Sequence, residues 1–167
     1  MTRTATVTRQ TAETGVTVTV DLDGTGSSEV STGVPFFDHL LESFSKHSLI
    51  DVAVAAEGDL HIDDHHTVED VALVLGSALA EALGDRSGIQ RFGDATVPMD
   101  EALATCAIDV SGRPYAVVEV PLRNERIGTF TTQNYPHVIE SLVRTAGLTL
   151  HLTASGRNDH HIAEAAT

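Results

Sequence analysis

At 167 residues the chain has room for one domain with its own core, built as a unit or from two merged halves. A formal charge of −14 lacks the basic footprint that nucleic acid requires, and most of the acidic residues read as a solvated surface. The single cysteine, Cys106, excludes an intrachain disulfide and fits a reducing compartment; with no signal-like N-terminal stretch and no membrane span, the expected location is the cytoplasm.

Residues 4–22 alternate, most plainly in Val16, Val18, Val20 and Leu22 against Thr17, Thr19 and Asp21. This period of two, broken at Gly15, predicts a β-hairpin. Residues 24–33 read as a polar loop. Pro35 then opens a helix with an apolar face of Phe36, Phe37, Leu40, Leu41 and Phe44, and His39 lies on it. Ile50, Val52, Val54 and Ala56 predict a strand, followed by a loop over 57–64. A long helix starts at the His65-His66 pair, buries Ala72, Leu75, Leu79 and Leu83, and stops at Gly84.

The second half follows the same plan. Residues 104–122 alternate around Gly112, Pro136 opens a helix, and Leu148, Leu150, Leu152 and Ala154 predict a strand. Asn158-Asp159-His160-His161-Ile162-Ala163-Glu164 then repeats the His-His-x-x-Glu of Asp63-Asp64-His65-His66-Thr67-Val68-Glu69. His39-Leu40-Leu41-Glu42-Ser43-Phe44 aligns with His137-Val138-Ile139-Glu140-Ser141-Leu142, and Gly58 with Gly156. A short insertion around Leu60-His61-Ile62 brings the His-His pairs into register. The pattern predicts a single domain, 1–167, made of two pseudo-repeats of about 1–91 and 98–167, the second lacking most of its last helix. A helix that short is marginal alone and is expected to fray unless metal or a neighbouring subunit holds it.

The repeat selects matched ligands: His39, His65, His66 and Glu69 from one half, and His137, His160, His161 and Glu164 from the other. On a helix, His65 and Glu69 share a face at i,i+4, while His66 points about 100° away and can serve a second ion. Imidazole plus carboxylate without thiolate favours Mn²⁺, Fe²⁺, Co²⁺, Ni²⁺ or Zn²⁺ over Ca²⁺ or Mg²⁺. Eight ligands divide into two four-ligand sites, and the pattern is compatible with assembly inside one subunit or across an interface. Arg91 and Arg113 sit in turn-like segments where a guanidinium could clamp a phosphate or pair with a surface carboxylate. Glu13, beside the Gly15 turn, reads locally as a solvated hairpin residue.

Together, Arg9-Gln10-Thr11-Ala12-Glu13-Thr14, Phe36-Phe37-Asp38-His39, Asp64-His65-His66-Thr67-Val68-Glu69-Asp70, Arg91-Phe92-Gly93, Pro98-Met99-Asp100-Glu101, Ser111-Gly112-Arg113-Pro114 and His160-His161-Ile162-Ala163-Glu164-Ala165 resemble imidazoleglycerol-phosphate dehydratase of histidine biosynthesis. The resemblance spans nearly the whole chain. It implies an internally duplicated α+β subunit of β-hairpin/helix/strand/helix halves, with helices packed between two sheets. It also implies two Mn²⁺ ions per active site, and trimers that build a shell of twenty-four subunits with active sites between them. Metal ligation would fall on the eight residues the repeat had selected, phosphate recognition on Arg91 and Arg113, and acid/base work on Glu13 and Glu164. Glu13 would also contact substrate.

The implied reaction converts imidazoleglycerol phosphate to imidazoleacetol phosphate. No carbonyl activates the C–H bond to be broken, so the imidazole ring must take up the electrons, which calls for Lewis-acid stabilisation and general acid/base catalysis. Three departures accompany the resemblance: Ser43 stands where the family usually has Gln, Thr167 stands where an aromatic residue normally continues the final helix, and the family's C-terminal lysine and Ser-Thr-Lys-Gly segment are not present by Thr167. The expectation is a shortened form that binds metal but is weakened in substrate affinity, assembly or both. A metal-assembled scaffold without turnover is the alternative. A dinuclear hydrolase is disfavoured by six histidines.

Overall fold

The structure, a computed structural model, describes residues 3–167, so residues 1 and 2 of the first predicted repeat lie outside the described residues. The first half runs β1 (Thr4–Gln10), β2 (Thr14–Asp21), β3 (Ser28–Ser31), α1 (Pro35–Ser48), β4 (Asp51–Gly58) and α2 (His65–Leu83). The second runs β5 (Phe92–Met99), β6 (Ala102–Asp109), β7 (Tyr115–Glu119), the short β8 (Arg126–Ile127) and β9 (Phe130–Thr131), α3 (Asn134–Ala146), β10 (Thr149–Ser155) and α4 (Asp159–Ala165).

Two four-stranded sheets form, in the orders β1-β2-β4-β3 and β5-β6-β10-β7. These orders are equivalent: an antiparallel hairpin, a third strand antiparallel to its inner member, and a parallel edge strand. Each parallel pair is joined through a helix, β3–α1–β4 and β7–α3–β10, because parallel neighbours need a crossover. The helices lie between the sheets. α1 and α2 pack on the first, α3 and α4 on the second, and α2 against α3 forms the main seam. The mixed α+β fold with helices between two sheets is as the family resemblance implied.

Alternation explains the first sheet. Val16, Val18, Val20, Val52 and Val54 face inward and are buried. Outside, Thr6 faces Thr19 and Thr8 faces Thr17 through hydroxyl hydrogen bonds of 2.9 and 3.0 Å. At the seam Gly76 is a steric requirement: a Cβ there would lie 2.1 Å from Thr145 Oγ1 and 2.4 Å from the Leu142 carbonyl oxygen.

Several expectations are corrected. Residues 24–33 are not all loop, because the mostly exposed β3 pairs in parallel with β4. Residues 104–122 do not repeat the hairpin around Gly112: β6 and β7 each pair with β10, and β6 makes its hairpin with β5, an edge strand that lacks clean alternation and tolerates Pro98. Helix α3 begins at Asn134, before Pro136, which occupies the first turn where its missing N–H costs no helical bond. On α1 the fully buried residue beyond Leu41 is Ser45 rather than Phe44; its hydroxyl donates to the Ser27 and Ile50 carbonyl oxygens at 3.0 and 2.7 Å. The short α4 is anchored rather than frayed. Ile162 and Ala163 are fully buried, and Thr167 Oγ1 hydrogen-bonds both the Ala163 carbonyl and Tyr135 Oη. Among the described residues, no helix is long and apolar enough to cross a membrane.

Candidate metal centre

The duplicated architecture places two equivalent ligand clusters. The first joins α2 to α3: His65, Glu69 and His137 offer ligand atoms within 4.8 Å of one another. The second joins α4 to α1 and comprises His160, Glu164 and His39, again within 4.8 Å. In each, the i,i+4 spacing brings one histidine over the carboxylate, and the histidine from the other helix meets its second oxygen. Glu69 Oε2 is 3.6 Å from His65 Nε2 and Oε1 is 3.3 Å from His137 Nε2. Glu164 Oε2 is 3.4 Å from His160 Nε2 and Oε1 is 3.2 Å from His39 Nε2.

Those spacings suit a cation. Ligands about 2.0–2.2 Å from one ion stand roughly 3–4 Å apart, and the Nε2 atoms all converge. His137 Nε2 is buried and makes no hydrogen bond despite Glu69 nearby, a state that costs free energy unless a further partner completes it. The donor set is imidazole and carboxylate only, suited to a divalent transition ion with open positions.

Around the ligands, carboxylates and amides orient the rings. Asn134 Oδ1 lies 3.2 Å from His65 Nδ1. Asp59 Oδ2 lies 2.9 Å from His66 Nδ1, and Glu101 Oε2 the same distance from His161 Nδ1. A group held at Nδ1 directs the Nε2 lone pair outward, the usual arrangement around a metal-binding imidazole. The hydrogen bond to Asp59 raises the His66 pKa, with nearby Glu13 adding to the effect. Glu101 raises that of His161, and in turn its own carboxyl is lowered to about 2 by the His161 hydrogen bond and by backbone N–H groups.

Residues 32–167 match the imidazoleglycerol-phosphate dehydratase family. An imidazoleglycerol-phosphate dehydratase of Dinoroseobacter shibae is 56% identical over 165 residues, covering 98% of this chain and 85% of the relative. The chain belongs to the imidazoleglycerol-phosphate dehydratase family. A second family member, from Methanothermobacter thermautotrophicus, is 57% identical over 158 residues, covering 95% of this chain and 81% of the relative. The crystal structure of the Staphylococcus aureus imidazoleglycerol-phosphate dehydratase superposes with a TM-score of 0.87 at 34% identity, covering 98% of this chain and 91% of that one. The Pyrococcus furiosus structure gives 0.82 at 35% identity, covering 96% and 86%.

Against this family background, six of the eight ligands named from sequence meet in the two clusters. His66 and His161 do not: they point away on the same helices, bound to Asp59 and Glu101. Arg91 and Arg113 come together on Asp109. Arg91 forms a bidentate pair with it at 2.5 and 2.8 Å and lies over the Phe92 ring, while Arg113 reaches the same carboxylate at 3.5 Å. Glu13 is exposed on the β1–β2 turn and lines an open groove of about 770 Å³ with Gln10, Asp59 and His61. Sequence reasoning missed Asp59, Glu101, Asn134 and Asp109, whose partners are 7, 60, 69 and 18 residues distant. Only the Pro98-Met99-Asp100-Glu101 motif carried a trace of them.

Proposed function

We propose that the chain is a metal-dependent carbon–oxygen lyase that converts imidazoleglycerol phosphate to imidazoleacetol phosphate in the histidine pathway of the cytoplasm. The observation that carries this reading is the pair of equivalent His-His-Glu clusters, each built from two helices. His65, Glu69 and His137 would hold one ion, and His39, His160 and Glu164 the other, Mn²⁺ being the metal the family resemblance suggests. When bound, the two ions supply Lewis acidity that favours the anionic form of an imidazole ring.

His66 and His161 supply the missing fourth ligands. Each stands outside the clusters of its own subunit, yet each has Nδ1 fastened, and His161 Nε2 faces the exposed Asp100 carboxylate at 3.9 Å. This is the geometry of ligands donated to a neighbouring subunit, and it supports self-association into trimers and the twenty-four-subunit shell. Glu13, which shares an open groove with Asp59, the partner of His66, moves the proton of the reacting carbon, and Glu164 stands as the second acid/base candidate. Arg91 and Arg113, gathered by Asp109, present two guanidinium groups to the substrate phosphate.

The test is turnover by metal-stripped protein, followed as imidazoleacetol phosphate formation before and after Mn²⁺ is restored. Recovery with Mn²⁺ supports the lyase reading. Metal binding and assembly without turnover would replace it with a scaffold.

A further inference from the structure

Both His-His pairs are preceded by a buried aspartate at the same place in the repeat, Asp64 and Asp159, exposed by only 6% and 3%. Neither uses its carboxylate to bind a histidine. Asp64 accepts the backbone N–H and the hydroxyl of Thr131 at 2.7 and 2.6 Å. Asp159 accepts the backbone N–H groups of Arg123 and Asn124 at 2.9 and 2.7 Å, and the Asn124 side-chain amide at 2.7 Å. The two aspartates therefore grip opposite ends of one strap, residues 123–131, which contains β8 and β9.

The strap is braced along its length. The Thr132 N–H donates to the Glu125 carbonyl at 3.0 Å and its hydroxyl to the Asn124 carbonyl at 2.5 Å. Phe130, fully buried, lies against Phe36 and Phe37 with ring centroids 5.9 and 6.0 Å away. Phe36 in turn packs on His160 at 4.9 Å and on His39 at 6.2 Å. Just beyond the strap, Asn134 meets His65 Nδ1 and opens the helix that carries His137. One segment thus touches the supports of both clusters.

Resting on the reading that these clusters hold metal, we propose that Asp64 and Asp159 are positioning residues acting through this shared strap, which makes each metal site depend on the other's anchor. Burying two carboxylates is costly unless their oxygens are hydrogen-bonded; the strap supplies donors to both oxygens of Asp64 and three to Asp159 Oδ2, while Asp159 Oδ1 is buried without a partner. Releasing the Asp64 end frees the α2 N-terminus and lets the Phe130 wedge move beside the remote His39 cluster. Releasing the Asp159 end frees the α4 N-terminus and, along the strap, loosens the Thr131 grip on Asp64 at the remote His65 cluster. A contiguous packed and hydrogen-bonded path of this kind carries coupling of about 0.5–2 kcal/mol, or roughly 2- to 30-fold in affinity.

The experiment is Mn²⁺ titration calorimetry on full-length, metal-stripped protein without substrate. Glu69→Gln leaves only the His39 cluster, and Glu164→Gln leaves only the His65 cluster. Thr131→Val removes the hydroxyl that donates to Asp64, while Thr131→Ser keeps it. In the Glu69→Gln background, Thr131→Val should weaken Mn²⁺ binding at the remote His39 cluster by about 2- to 30-fold, with Thr131→Ser restoring it. Asn124→Ala, at the other end, should do the same to the His65 cluster in the Glu164→Gln background. Remote affinities unchanged, or losses confined to the nearer site, overturn the shared strap. Failure of both single-cluster proteins to bind Mn²⁺ overturns the metal reading itself and this inference with it.

Discussion

Glu101→Gln is an informative single change because Glu101 has its two oxygens committed differently. Oε1 accepts the backbone N–H groups of Arg157 and Asn158 at 3.2 and 2.7 Å, whereas Oε2 faces His161 Nδ1 at 2.9 Å. A glutamine has one acceptor oxygen, which the two backbone donors claim. Its NH₂ group is then turned toward the ring, so Nδ1 must accept and Nε2 must carry the proton. That is the wrong tautomer for donation to a metal. Altering such an outer partner typically costs 10–100-fold in metal affinity, and the near-isosteric side chain leaves the fold in place. Calorimetric titration of metal-stripped protein with Mn²⁺ should show a loss of about that size. The positioning argument would be refuted by a Glu101→Gln protein with unchanged affinity and stoichiometry.

Glu13→Gln should abolish turnover while metal content stays intact; loss of metal instead would remove Glu13 from its acid/base role. Metal affinity and metal-free stability should respond to pH in opposite senses. His66 and His161 have raised pKa values and must be neutral to bind metal, so Mn²⁺ affinity should rise with pH through and above 6.5, and a flat profile from pH 6 to 8 would contradict this. Without metal, their carboxylate pairs stabilise fully below 6.5 and lose that contribution as pH rises through the raised values. The Glu101 contribution is full above its ordinary 4.5 and is lost as pH falls through about 2, so denaturant midpoints of metal-free protein should carry both contributions between pH 4.5 and 6.5. Gly76→Ala should destabilise by about 1–3 kcal/mol through overpacking at the α2–α3 seam despite alanine's better helix propensity; a thermal midpoint that is unchanged or higher would refute the close approach.

The two His-His-Glu clusters were legible because a repeated His-His-x-x-Glu on a helix fixes which side chains share a face. The helix bearing His39 was legible from its apolar spacing. Elements with little inward burial were not: β3 exposes three of four residues, and β8 and β9 hold two residues each. Ser45 was missed because hydrogen bonding to two carbonyls, rather than hydrophobicity, places it in the core. The supports of the rings were hidden for another reason. Glu101 and Asn134 reach their histidines across 60 and 69 residues, and no local pattern encodes such a meeting. The separation of His66 and His161 from the clusters follows from helix geometry that the sequence contains.

Metal stoichiometry tests the two-cluster account most directly. Purified wild-type protein, loaded with Mn²⁺ and freed of excess, should carry two ions per chain by elemental analysis, matching the two clusters. His137→Ala and Glu164→Gln each damage a different cluster, so each should retain one ion. A wild-type value of one, or two ions retained in either variant, would contradict the assignment of His65, Glu69 and His137 to one ion and His39, His160 and Glu164 to the other.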